Sequence, residues 1–309
     1  MVLRKLSLLK MRLIKPSFEI WEQSPGEIEI YKQIERAGRV CYKSEDRLTE
    51  DSYVKFVNML KSHAHGAMLE HGAVYLKVPI NEIEIDHVIF ENKYSKVTND
   101  DNYLYISTNY RVLVENNCED LLKYLSKPTE FHERRITVHF TTDIGVSREA
   151  NRHRVDSIAE QSTRYCNYSK DKFSSQIAVT TNDDIAPEEV YESINKWSRG
   201  DIKSAKSAFR IMCREIYNFR EDQFSIIDLW LFGNAACEFT YMELIRRGWT
   251  PQQARRVLPL DLNTELVHTA FVSDWRHFFE LRCAKDAHPD IRALAILLRD
   301  EFIKRGFIE

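Results

Sequence analysis

The side chains best suited to chemistry are concentrated in one stretch, Ser147-Arg148-Glu149-Ala150-Asn151-Arg152-His153-Arg154, continued by Glu160-Gln161-Ser162-Thr163-Arg164-Tyr165. Four arginines fall within the 17 residues from Arg148 to Arg164. A guanidinium is a planar fork that meets phosphate oxygens two at a time, each charge-assisted bond contributing about 1.5–3 kcal/mol. The stretch therefore reads as an anion-binding segment, and Glu160 and Ser162 could accept from and donate to a ribose or a base edge. The competing reading is a solvated helix face laced with surface ion pairs. Against it, the segment follows directly on a core-like strand and is poor in lysine. A second cluster, His63, His65, Glu70 and His71, has the residue types of a metal site. Its plainer reading is a polar edge of the core. Arginines with Tyr165, Tyr168 and Phe173 as stacking platforms could also serve single-stranded nucleic acid.

Glycine narrows these options. The nine glycines never lie closer than six positions apart. A dinucleotide-binding G-x-G-x-x-G, a P-loop and a G-x-S-x-G elbow each need a closer pair, so all three are excluded. Any nucleotide bound here is held largely by side chains.

The elements that must position these residues follow from periodicity. Ile136, Val138 and Phe140 alternate with polar neighbours, which predicts a strand leading into the arginine segment. Upstream, Thr49 to Leu60 predicts a helix with Val54, Val57 and Leu60 on one face, and Val74 to Val78 a strand. Residues 81–130 read as an elaboration with a strand near Tyr103–Ser107 and a short helix near Asp120–Leu125. Downstream, helices are predicted over Pro187–Trp197 and about Asp201–Phe219, the latter packing Ala205, Ala208, Phe209, Met212, Ile216 and Phe219. Thr250-Pro251-Gln252-Gln253 is a helix start that must stop before Pro259. A strand over Thr264–Val272, a helix over Trp275–Cys283 capped by Asp274, and a last helix over Pro289–Arg305 complete the chain. Strands and helices mix without strict alternation, so the expected fold class is α+β, mixed and mainly antiparallel, in a single domain over 1–309.

Composition sets outer limits. With 44 Lys+Arg against 47 Asp+Glu, the net charge of −3 argues against bulk electrostatic binding of nucleic acid. Apolar runs such as Leu229–Phe232 and Ala293–Leu298 fall far short of the roughly 20 residues that span a bilayer. The leucine- and lysine-containing start reads as an ordinary solvated strand in preference to a transit peptide, with residues 1–10 dispensable and Met11 an alternative start. Six scattered cysteines without a C-x-x-C pair or a secretion signal predict reduced thiols in the cytoplasm.

Arg152-His153-Arg154, seven further residues and Ser162 resemble the R-H-R-x7-S signature of the flavin-dependent thymidylate synthases. The similarity extends to Glu160-x-Ser162-x-Arg164-Tyr165, to Glu149, and to His65 with Glu70-His71. It continues through Ala254-Arg255-Arg256-Val257-Leu258-Pro259, Phe278-x-x-Leu281-Arg282 and Ala287, with Ala37–Ser44 resembling the opening helix. The resemblance implies a homotetramer with sites shared between subunits, binding FAD and converting dUMP to dTMP with methylenetetrahydrofolate as carbon donor and NADPH as reductant. Some relatives in that family modify other pyrimidine nucleotides, so UMP or dCMP is the alternative substrate, and with the histidine cluster read as a polar core edge no metal is expected. Arg152, His153, Arg154, Glu160 and His277 would hold the flavin, with His65 on the folate and flavin side. Glu149, Arg152, Glu160, Gln161, Ser162, Thr163, Arg164, Arg255 and Arg282 would hold dUMP. Arg282 would also face the uracil ring and stabilise negative charge developing there. Its plainer role is charge compensation at a helix C-terminus. No histidine in the sequence marks Ser162 as an activated nucleophile. The chain departs from the family at Ala67, at Phe271-Val272-Ser273, and at His277 and His288.

Overall fold

The computed structural model describes residues 11–63, 65–82, 90–199, 204–215 and 223–309. The start at 1–10 that is expected from the sequence to be dispensable, part of the 81–130 elaboration and the ends of the helix expected over 201–219, with Ile216 and Phe219, lie outside these residues.

Strands β1 (Arg12–Ile14) and β2 (Ser17–Trp21) lead into helix α1 (Glu27–Tyr42). Ile30, Ile34, Ala37 and Val40 recur at helical spacing and are buried, and Glu27 and Glu29 sit at the positive end of the helix dipole. Helix α2 (Ser52–Ser62) is the one expected over Thr49–Leu60, with one correction. Its buried residues are Phe56, Val57 and Leu60, whereas Val54 is 43% exposed. Val54 and Phe56 stand about 200° apart around a helix, and the larger aromatic side chain takes the core. The histidine-rich stretch forms a short helical turn, α3 (Gly66–Leu69).

Strands β3 (Ala73–Pro79), β4 (Lys96–Asn99) and β5 (Tyr103–Asn109) make an antiparallel sheet in the order β3-β5-β4. Helix α4 (Tyr110–Glu115) follows, its Val112 N–H donating to the Asn109 side chain, and a 3-10 turn at Glu119–Tyr124 stands where the short helix is expected. Strand β6 (Arg135–Asp143) runs straight into helix α5 (Ile144–Ala150), followed by strands β7 (Ser157–Glu160) and β8 (Ala178–Thr180). Helices α6 (Pro187–Ser198), α7 (Ala205–Glu215), α8 (Ile226–Arg246) and α9 (Pro251–Ala254) come next. Strand β9 (Asn263–Phe271) and helices α10 (Val272–Arg282) and α11 (Pro289–Lys304) end the chain. Helix α10 starts earlier than an Asp274 cap allows. The Arg134 carbonyl accepts the Val272 N–H and the Glu133 carboxylate accepts the Ser273 N–H at 2.9 Å, so the start is capped from outside the helix.

The fold is mixed α+β. A four-stranded sheet has the order β2-β6-β9-β7, with β7 and β9 antiparallel, and the short β1–β8 pair is parallel. The chain gathers into two compact units. The first comprises residues 1–17, 141–148 and 162–264, and its core holds Val179, Val190, Ile194, Ala208, Met212, Leu231 and Leu262. The second comprises 18–140, 149–161 and 265–309, with Ile30, Ile34, Val57, Val74, Leu76, Ile106 and Leu113 in its main core.

Candidate functional site

Within the second unit the arginine segment is fastened from below and from one side. Register pairs Ser157 of β7 with Thr269 of β9, so the loop at 151–156 enters the sheet beside His268. Asp156 meets His268 Nε2 at 2.6 Å, with both side chains almost wholly buried. His268 in turn packs among the rings of Phe140, Trp275 and Phe278. Helix α10 turns Trp275, Phe278 and Phe279 into the core. The residues left on its other face, Asp274, His277, Leu281 and Arg282, follow helical spacing and line a cavity of ≈ 620 Å³. Glu149, Arg152, His153, Arg154, Val155 and Asp156 supply another part of its wall, and Asp286, Ala287 and His288 the rest.

Arg282 is the best-held group in this cavity. Its Nη1 donates to Glu149 Oε2 at 2.8 Å, its Nη2 to the Glu149 carbonyl at 2.7 Å and its Nε to His153 Nε2 at 3.1 Å. Arginine only donates, so His153 Nε2 must be the bare nitrogen and the ring proton sits on Nδ1. Burial, and then His268, push the His153 pKa down to about 4; Arg282 and His277 add to this and Asp156 opposes it. The imidazole is thus neutral at physiological pH. Glu149 also lies 3.6 Å from Arg152, whose side chain is 71% exposed, and Arg154 is exposed too. His277 pairs with Glu280 at 3.5 Å. Burial raises the pKa of Asp274, with the Asp156 charge second.

Four further nucleotide-side residues, Ser162, Thr163, Arg164 and Arg255, lie in the first unit. Ser162 Oγ accepts the Arg164 N–H at 3.3 Å, and the Ser162 carbonyl accepts from Cys166, which folds this stretch into a tight turn. Arg164 donates through Nε and Nη2 to Gln252 Oε1 at 3.3 and 3.2 Å. Arg255 Nη1 donates to Thr163 Oγ1 at 3.1 Å. Thr250 and Gln253 cap each other reciprocally and fix the helical turn that carries Gln252 and Arg255. Among the described residues neither Arg164 nor Arg255 is paired with a carboxylate, in contrast to Arg282.

Other expected site residues sit apart from the cavity wall. Glu160 accepts from Asn151 at 3.0 Å, and Gln161 is buried with its N–H on the Glu265 carbonyl. His65 is exposed at the start of α3. His71 is fully buried and meets Thr269 Oγ1 at 2.9 Å; burial pushes its pKa down to about 3. No group of three or more His, Cys, Asp or Glu side chains among the described residues has the arrangement of a metal site. At the family departures, Phe271 is buried under the Arg135 guanidinium and His288 caps α11. Sequence reasoning missed Asp156, His268, Asp274, Asp286 and Gln252. Only His268 carried a signal, as a titratable residue at the centre of an apolar strand.

Residues 87–305 match the family model described as "Thymidylate synthase complementing protein". The chain is 26% identical over 184 residues to the flavin-dependent thymidylate synthase of Geobacter sulfurreducens, covering 57% of this chain and 62% of that protein. It is 27% identical over 188 residues to that of Thermosipho melanesiensis, covering 60% and 71%. The chain thus spans roughly two thirds of the length of the curated relatives it matches. A solved UMP/dUMP methylase, PolB of Streptomyces cacaoi bound with 5-Br dUMP, superposes with a TM-score of 0.38 at 16% identity, covering 95% of this chain and 92% of the other. The family model takes in both the arginine segment and Arg282, and this chain belongs to the thymidylate synthase complementing protein family, that of the flavin-dependent thymidylate synthases.

Proposed function

We propose that this protein makes dTMP from dUMP, with methylenetetrahydrofolate as carbon donor and NADPH as reductant, as a homotetramer in the cytoplasm. The observation that carries the reading is the Arg282 guanidinium, held by Glu149 and His153 in the wall of an arginine-lined cavity. Its charge and fixed orientation suit it to stabilise negative charge on a pyrimidine ring without reorganising during the reaction. Neutral His153 keeps the Nε–H of Arg282 directed while adding no competing charge. The Arg164 and Arg255 guanidinium groups, which pair with no carboxylate among the described residues, suit a phosphate dianion, with Ser162 and Thr163 beside them.

The cavity's donors also fit an anionic dinucleotide. Arg152 and Arg154 present exposed guanidinium groups at its wall, with His153 between them and His277 facing them from α10. FAD, when bound, supplies the hydride-transfer chemistry that side chains lack. Glu160 and His65 stand apart from this cavity wall and are proposed for the cofactor side through the sharing of sites between subunits. All six cysteines are free thiols, and among the described residues no helix is long and apolar enough to cross a membrane.

The test is reconstitution. Purified protein should bind FAD and turn yellow, oxidise NADPH faster with dUMP present, and release dTMP when methylenetetrahydrofolate is supplied. Protein that binds no added FAD defeats the reading. Product analysis with dUMP, UMP and dCMP side by side fixes the pyrimidine.

A further inference from the structure

Gln252 stands outside every role assigned above, yet it is the acceptor that orients Arg164. The two contacts in this part of the first unit form a small closed set. Thr163 and Arg164 are neighbours on the turn after β7, while Gln252 and Arg255 are three apart on a helical turn and share a face. Arg164 reaches across to Gln252, and Arg255 reaches back to Thr163. Both guanidinium groups are thereby directed by neutral oxygens. Arginine has no acceptor, so the carboxamide must face it with Oε1, and both N–H groups of one fork edge converge on that atom.

A carboxylate here would hold Arg164 more strongly but would cancel its charge and repel an incoming dianion. A carboxamide directs the fork and leaves the full positive charge for a ligand. We infer that Gln252 is a positioning residue that keeps Arg164 both oriented and uncompensated, and so sets how strongly this turn takes a phosphate monoester. This rests on the proposal that the turn receives the phosphate of dUMP.

The experiment compares calorimetric binding of dUMP and of deoxyuridine, which lacks the phosphate, to the full chain and two variants. Gln252→Glu places a carboxylate against Arg164. Gln253→Glu adds the same charge one residue later, where glutamate still caps the turn. Acidic residues at a helix start are favourable, so both variants should melt with the parent protein. Gln252→Glu is expected to weaken dUMP binding about tenfold at low salt, the loss shrinking as salt screens the charges, with deoxyuridine unaffected. Gln253→Glu should stay within about twofold of the parent. Equal losses in the two variants, an unchanged Gln252→Glu, or an equal loss of deoxyuridine binding overturns the inference alone. A parent protein that binds no dUMP overturns the proposed function and the inference with it.

Discussion

Arg282 is directed by three acceptors, none of them on its own helix. Its position in the last turn of α10 would by itself suit charge compensation at a helix end, but the guanidinium turns instead to Glu149 and His153. That geometry needs a fork. Arg282→Lys keeps the charge and loses the three-way hold, so we expect flavin retained and dTMP formation lowered by about 100-fold or more, as seen by single-turnover product analysis. Retained turnover would remove Arg282 from the mechanism. The types and order of Arg152, His153, Arg154 and Arg282 were legible in the sequence because arginine at close spacing is itself a chemical statement. The partners were not. Asp156 under His268, or Gln252 against Arg164, are contacts between residues 112 and 88 positions apart, and no local pattern announces them.

At the scale of elements, periodicity carried far where one face is buried and failed where it is not. Strand β6, helix α6 and the capped turn at α9 sit close to where alternation and capping residues put them. The longest helix, α8, was not read at all. Its apolar residues surround the axis, as in Ile226-Ile227-Asp228-Leu229-Trp230-Leu231-Phe232, so no stripe distinguishes it from a buried strand. Its start is nonetheless explicit in chemistry, a reciprocal cap between Ser225 and Asp228. Packing between elements gives a paired prediction. A Cβ at Gly72 would meet Ile30 Cγ2 at 2.7 Å and Ile34 Cδ1 at 2.8 Å, whereas one at Gly233 in α8 meets nothing within 4 Å. Gly72→Ala should therefore cost about 1–3 kcal/mol, and Gly233→Ala should raise stability by about 0.5–1 kcal/mol, in urea unfolding. Similar midpoints for the two variants would contradict this packing between α1 and the start of β3.

For the whole molecule, the protonation of buried histidines sets the acid limit. His153 and His71 have pKa values pushed down to about 4 and about 3 from an ordinary 6.5. The unfolded chain therefore binds protons that the folded one refuses. Stability from these groups is complete above about pH 6.5 and is lost as pH falls toward the folded values. Each histidine should remove on the order of 2 kcal/mol between pH 6.5 and 5. Glu265, held down to about 2 with burial opposed by His139 and Lys43, contributes its own loss only below the ordinary carboxylate range. Urea midpoints measured at pH 7 and pH 5 separate the two regimes; a flat profile over that interval would contradict the neutral, buried state of both rings.

The Thr163–Arg255 and Arg164–Gln252 contacts have one further consequence, for heredity. An anion cradle of backbone amides is nearly indifferent to which side chains its residues carry, so mutation edits it only by breaking it. Here each acceptor is a separate codon. Exchange of a carboxamide for a carboxylate, or of a hydroxyl for a methyl, changes one guanidinium while the chain path stays the same. A lineage with this arrangement can retune its ligand preference in single steps, and drift at these positions leaves a readable record of which anion each descendant holds.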